Sequence, residues 1–258
     1  MRLGLALIIQ FGLAACPAFA ADHWTASEEE DFLQTAKIIS DEPIGKGITH
    51  SRKAILSEAG REHAAQIQTV DIYTPLFKGA DGSQEVEFKD SWKFNVAAYR
   101  LAKLLHLINM VPAAVARVVD GKPAALSWWI DDVAMDEKER LAKKAEPPDP
   151  SRWNDQMDTI RTFDQLIYNM DRSQENILIA KNWDVWMIDH TRAFRKWAIL
   201  RNPAMITQCK PDLLRALKDL TRSAVEEALG PYLSEDEISG LMARRDIIVD
   251  MLTTHTEN

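Results

Sequence analysis

Cysteine is scarce in this chain: Cys16 and Cys209 are the only two in 258 residues. Cys16 lies in an N-terminal segment that cleavage after residue 20 removes. Cys209 alone then remains, which excludes an internal disulfide and a zinc site built on thiolates. Positive charge is short as well: 31 Lys and Arg stand against 39 Asp and Glu, a formal net charge of −8. An acidic surface of this kind argues against nucleic acid or anionic lipid as a bulk partner. No apolar run reaches the roughly 20 residues of a transmembrane span, and there is no internal repeat or low-complexity tract. A G-x-S-x-G hydrolase elbow is missing, and His50, His63 and His106 have no metal-binding spacing. Gly45-Lys46-Gly47 lacks the rest of a phosphate-binding P-loop and reads as a turn entering a strand.

What is present begins with MRLGLALIIQFGLAACPAFA. One Arg, an apolar run, a Pro and then Ala18-Phe19-Ala20 make residues 1–20 a secretory signal peptide. The expected product is exported, periplasmic or secreted, and starts at Ala21. Leu13-Ala14-Ala15-Cys16 also fits a lipobox, the alternative route, which would leave a lipoprotein anchored through Cys16. Pro17 favours the first route.

Downstream, residues 26–39 have the pattern of a helix with Ser27 as N-cap. Two β-prone runs, 48–57 and 61–71, meet at Glu58-Ala59-Gly60 and predict a hairpin. Residues 74–90, with Pro, Gly and Asp, read as a mobile excursion. A strong helix is expected over 91–109, where Ala97, Leu101, Leu104, Leu105 and Ile108 share a face. Two more β runs, 110–119 and 123–131, turn at Asp120-Gly121. After Asp132 the chain is charged, with a stiff break at Pro147-Pro148-Asp149-Pro150. It is then helical from Trp153, apart from one hairpin, with later helices at 211–220, 222–229 and 234–252. Ser234 and Glu237 form a capping box for the last of these.

The most informative stretch is 163–194, FDQLIYNMDRSQENILIAKNWDVWMIDHTRAF. A helix end is followed by a polar loop, 170–175, and two apolar runs, NILIA and VWMID, that form a hairpin. Asp171 lies on the loop, Asn176 opens the first strand and Asp189 closes the second, so the hairpin returns Asp189 beside Asn176. Phosphoryl transfer needs such a set: one Asp to accept the proton of the incoming hydroxyl, and an Asn and a second Asp to hold magnesium on the phosphates. Asp-x4-Asn alone is common in surface loops, where Asp caps or turns the chain. The hairpin and the second Asp make the pattern specific.

NMDRSQENILI followed by IDHTRAF resembles the atypical branch of the protein-kinase-like superfamily, which holds the phosphoinositide 3-/4-kinases, the HipA-type kinases and the secretory-pathway Golgi casein kinases. The last are nearest in wording, with a GNMDRH loop and then LDNGRGF. The resemblance implies a catalytic Asp171 as base with Arg172 beside it, Asn176 and Asp189 as ligands of Mg or Mn, and Arg192 and Phe194 as structural supports. It also implies an α+β, two-lobed protein-kinase-like fold, with a small β-rich N-lobe carrying one main helix and a mainly helical C-lobe. The expected boundaries are an N-terminal helix in 21–39, an N-lobe at 40–132 and a C-lobe at 133–258. Within the C-lobe the catalytic loop is 169–176 and the metal-binding segment 186–194. Ser173 stands where the resembled families have His, and His190 replaces the residue after the metal-binding Asp.

The nucleotide-binding lobe departs further. Gln68 occupies the position of the strand Lys that contacts phosphate, and Asn95 that of its partner Glu on the helix. Two amides can hydrogen-bond each other and keep the helix docked, but they give phosphate no positive charge. Lys46, Lys53 and Lys78 are the neighbouring cations. Trp128 and Trp129 end the last strand of this lobe; alternation turns one inward, toward either an adenine site or plain core. The expected function is a nucleotide- and metal-dependent phosphotransferase using ATP on an acceptor of unread class. The alternative is an exported pseudokinase that binds a nucleotide, metabolite or partner protein without turnover.

Overall fold

The computed structural model describes residues 24–45, 51–79 and 82–254. The segment expected to be a signal peptide, residues 1–20 with Cys16, and also Lys46 and His50 lie outside the described residues. Helix α1, Ala26–Thr35, starts at Thr25 rather than Ser27. The reason is reciprocal capping: Thr25 Oγ1 accepts from Glu28 N–H while the Glu28 carboxylate accepts from Thr25 N–H at 2.8 Å, which satisfies two backbone donors that a Ser27 cap would leave open. The helix also ends earlier than its periodicity predicts. Ala36 turns extended, and Lys37–Pro43 becomes strand β1, paired antiparallel with β2, Arg52–Glu58. Ile38 and Ile39 are β-branched, and cross-strand pairing decides their state. An N-terminal helix running to residue 39 is therefore corrected to a helix and a strand.

Strand β3, Arg61–Gln68, follows through a turn in which Ala59 and Gly60 both have positive φ, +50° and +81°. That pair of conformations belongs to the two-residue hairpin turn, and Asp120-Gly121 repeats it between β6, Ala114–Val119, and β7, Lys122–Trp128. These strands form an antiparallel sheet in the order β1-β2-β3-β7-β6. In β3 the odd positions Ala65 and Ile67 enter the core, while Gln66 turns to the other face. Trp128 joins Trp24 and Phe32 of the α1 region in one ring cluster, stacked on His63 at 3.6 Å.

The expected mobile excursion is a hairpin of β4, Asp71–Lys78, and β5, Gln84–Ser91. Leu76 faces Val86 across it, a pairing that the Pro and Gly content of the segment obscured. Pro75 is tolerated because β4 is an outer strand. Helix α2, Lys93–Leu104, is shorter than 91–109: Ser91 completes β5, and His106 at φ +58° ends the helical run.

The second lobe opens with a strand that its charged surroundings hid, β8, Val133–Asp136, which pairs with β9, Ile177–Ala180. Helix α3, Glu137–Lys143, and helix α4, Pro150–Leu166, follow. The stiff Pro-rich break is thus also a helix start, with Asp149 as N-cap and Pro150 in the first turn. The hairpin of β9 with β10, Val185–Met187, stands between α4 and the last three helices, α5 (Pro211–Asp219), α6 (Arg222–Leu229) and α7 (Glu235–Thr254). Helix α7 supports the segment after β10: Gly240 packs against Lys196, and a Cβ there would lie 2.5 Å from its carbonyl oxygen. The fully buried Arg244 donates from Nε to Leu166 O at 2.7 Å and from a terminal nitrogen to Arg195 O at 2.8 Å. Among the described residues no helix is long and apolar enough to cross a membrane.

Candidate functional site

The polar loop is built around Arg172. Its guanidinium grips Asp164 of α4 through Nε at 2.9 Å and a terminal nitrogen at 2.9 Å. The other terminal nitrogen donates to Asn176 O at 3.0 Å and Ile188 O at 2.7 Å. One side chain therefore ties the end of α4 to the start of β9 and the end of β10. Asp164 was missed in the sequence; its only signal is a carboxylate set between Phe163 and Leu166 on an apolar helix face. Asn169 extends the frame, donating to Asp164 at 2.9 Å and accepting from Asp171 N–H at 3.0 Å.

On this frame Asp171 presents an exposed carboxylate 3.3 Å from Arg192. The Asn176 amide donates to Asp171 O at 3.4 Å, and Ile188 N–H donates to Asn176 O at 3.1 Å. With Met187 opposite Ile177, Asp189 emerges at the same end of the hairpin as Asn176. Asp189 sits at φ +55° and accepts from Thr191 Oγ1 at 3.0 Å. Burial pushes its carboxyl above the usual range, and the charge of Asp171 adds to this against the pull of Thr191 and Arg172. Asp90, at the end of β5, is raised for the same leading reason, with Asp189 and Asp171 contributing. Its buried Oδ1 has no partner among the described residues.

Asp189 and Asp90 are both raised by burial and by neighbouring negative charge, a repulsion that a divalent cation would offset. The protein's own ligand set is sparse. Among the described residues no group of three or more His, Cys, Asp or Glu converges to hold a metal. Asn176 and Asp189 would leave most positions of a magnesium-type ion to phosphate and water, which is the usual division for that ion.

Supports complete the unit. Phe194 is fully buried, donates from its backbone N–H to Ile167 O at 2.6 Å, and packs its ring 5.7 Å from Phe94 of α2. Arg192 and Arg195 share Glu85 of β5, at 2.5 and 2.6 Å, so the hairpin of the first lobe is tied to the loop of the second. His190 is buried, and desolvation, with Arg172 adding, holds it neutral, well below its usual pKa.

A cleft of about 440 Å³ runs between the lobes, with Gln66, Asn95, Trp129, Asn176, Leu178 and Asp189 among its lining residues. The expected bond between Gln68 and Asn95 is corrected. Gln68 is closed off, donating to Ser51 at 2.9 Å and accepting from Thr69 N–H at 3.1 Å. The Asn95 side chain instead accepts from His190 N–H at 2.8 Å, docking α2 on the segment after Asp189. Trp128 borders the cleft but commits its ring to the core cluster, whereas Trp129 lines the cleft under the Lys53 ammonium, 4.3 Å from the ring centroid. Gln66, overlooked in the sequence, shares strand parity with Gln68. Lys78 is exposed at the far end of β4.

No protein-family model matches this chain, and no curated protein sequence does. Solved structures do resemble it. Hydra Fam20, solved with sugar, superposes with a TM-score of 0.65 at 14% identity, covering 90% of this chain and 89% of that one. The golgi casein kinase gives 0.62 at 12% identity over 93% and 76%. The Helicobacter pylori proinflammatory kinase CtkA gives 0.52 at 11% over 86% and 95%. At these identities the likeness is one of fold, and the fold is α+β, two-lobed and protein-kinase-like.

Proposed function

We propose that this protein is a nucleotide- and divalent-metal-dependent phosphotransferase of the atypical kinase type. The observation that carries the reading is the Arg172 frame, on which Asp171, Asn176 and Asp189 share one loop and hairpin beside an interlobe cleft. Asp171, exposed and free to meet an acceptor hydroxyl, takes its proton. Asn176 and Asp189 would hold Mg or Mn, which when bound supplies positive charge to the phosphates. Arg172 positions the loop, and Arg192 orients Asp171. The nucleotide enters the cleft between Trp129 and Asp189, ATP being the one the sequence resemblance suggests. Residues 1–20 direct the chain out of the cytoplasm, with a lipid on Cys16 as the lesser route.

A second reading, a pseudokinase, is favoured by one observation: among the described residues no Lys or Arg lines the cleft. Calorimetry with Mn²⁺ and nucleotide, followed by turnover assays on an acceptor panel, separates the two. The enzyme loses turnover but keeps binding in Asp171→Ala, and loses metal-dependent binding in Asp189→Ala. Binding without turnover above the Asp171→Ala background supports the pseudokinase. Binding that ignores both metal and Asp189→Ala refutes the site.

A further inference from the structure

A cation stands beside the cleft, outside its lining, against the ring of Trp129. Strand β3 runs from Ala65, opposite Trp128 at the junction between lobes, to Gln68, beside Ser51. Asn95, which bonds the backbone next to Asp189, lines the same cleft. The cleft therefore has a junction end, at Trp129, and a metal end, at Asn176 and Asp189. Lys53 lies opposite Gln66 in the β2–β3 register and so shares its cleft-facing side of the sheet. Its ammonium rests 4.3 Å over the centroid of Trp129, at the junction end. Its other cross-strand neighbour is Glu42 of β1, yet Lys53 makes no ion pair among the described residues. Of the carboxylates lining the cleft, Asp136 caps α3 and Glu175 pairs with Lys138 at 2.6 Å.

We infer that Lys53 selects the nucleotide by its base, favouring one that turns a carbonyl oxygen toward Trp129. This inference rests on the phosphotransferase reading, because it is the metal at Asn176 and Asp189 that draws the phosphates to one end and leaves the base at the other. An ammonium has three donors and no acceptor. It can bond a 6-keto oxygen, as in guanine or hypoxanthine, but it meets the 6-amino group of adenine donor to donor. A single cation–π contact is a modest attraction, so a carbonyl oxygen can draw the ammonium away from the half-buried ring. Gln66 and Ser127, paired across the strands and both lining the cleft, offer acceptors as well as donors and do not themselves impose this choice.

The test is calorimetry on the mature chain with Mn²⁺ and ATP, GTP or ITP; ITP carries the keto group without the 2-amino group of guanine. Wild type is expected to bind ITP and GTP about tenfold more tightly than ATP, the effect of one charge-assisted hydrogen bond. Lys53→Met should erase the preference, chiefly by weakening ITP and GTP, and Lys53→Arg should keep it. Equal affinities in wild type, or a preference that persists in Lys53→Met, overturn the inference while the phosphotransferase reading stands. So does an equal loss for all three nucleotides in Lys53→Met, which would assign Lys53 to phosphate. No metal-dependent binding of any nucleotide overturns both.

Discussion

Replacing Arg172 by Met tests whether one guanidinium holds the loop and the hairpin in place. The Arg172 and Asp164 side chains are each only 12% exposed, so the substitution strands a buried carboxylate. It also removes the donor to two backbone carbonyls, Asn176 O and Ile188 O. Removing one partner of a buried pair costs about 3–5 kcal/mol. The lower end applies here, because Asn169 keeps one bond to Asp164 at 2.9 Å. The double variant Arg172→Met/Asp164→Leu removes the stranded charge and should recover most of the lost stability. It should not recover Mn²⁺-dependent nucleotide binding, since Asn176 and Asp189 remain without their common anchor. Urea denaturation reads the first quantity and calorimetry the second. A loss below about 1 kcal/mol in the single variant would refute the buried-pair argument. Full nucleotide binding in the double variant would refute the claim that Arg172 positions the metal side of the loop.

Three further outcomes are expected. Gly240→Ala places a Cβ 2.5 Å from Lys196 O and should destabilise the chain by about 1–3 kcal/mol, measured by thermal or urea unfolding. Burial, with Glu30 adding, raises Glu29 to about 7. An acid raised in the folded state contributes stability that is present below its unfolded pKa and lost as pH rises through the folded one. The difference in unfolding midpoint between wild type and Glu29→Gln should therefore shift against wild type from about pH 4.5 to about 7 and then level off; a flat difference curve counts against the assignment. Intact-mass measurement of the chain from expressing cells should find Ala21 at the N-terminus, or a lipid on Cys16, and not Met1.

The parts legible in the sequence are those set by local pattern. The helix–loop–hairpin around Asp171 is one, because polar loop residues between β-branched runs leave little choice of local structure. The Asp120-Gly121 turn is another, since the dipeptide itself specifies the hairpin. Strand β1 was hidden because Ile38 and Ile39 suit a helix face as well as an edge strand, and only pairing with β2 decides between them. Strand β8 was hidden by charged neighbours and by a partner more than forty residues away. Asp164, Gln66 and Lys53 matter for what they face across the fold, and no window of sequence contains both sides of those contacts. Gln68 lies on the expected strand, but its oxygen is already occupied by the backbone of Thr69, and Asn95 pairs with the backbone of His190.

The Arg172 contacts on the hairpin go to carbonyl oxygens, groups that every residue type carries. That anchor is thus indifferent to which side chain stands at 188, whereas Asn176 also ties the loop through its amide and position 189 must adopt φ +55°. A change at 188 therefore keeps the bracket, while changes at 176 and 189 separate what the backbone holds from what those two side chains add.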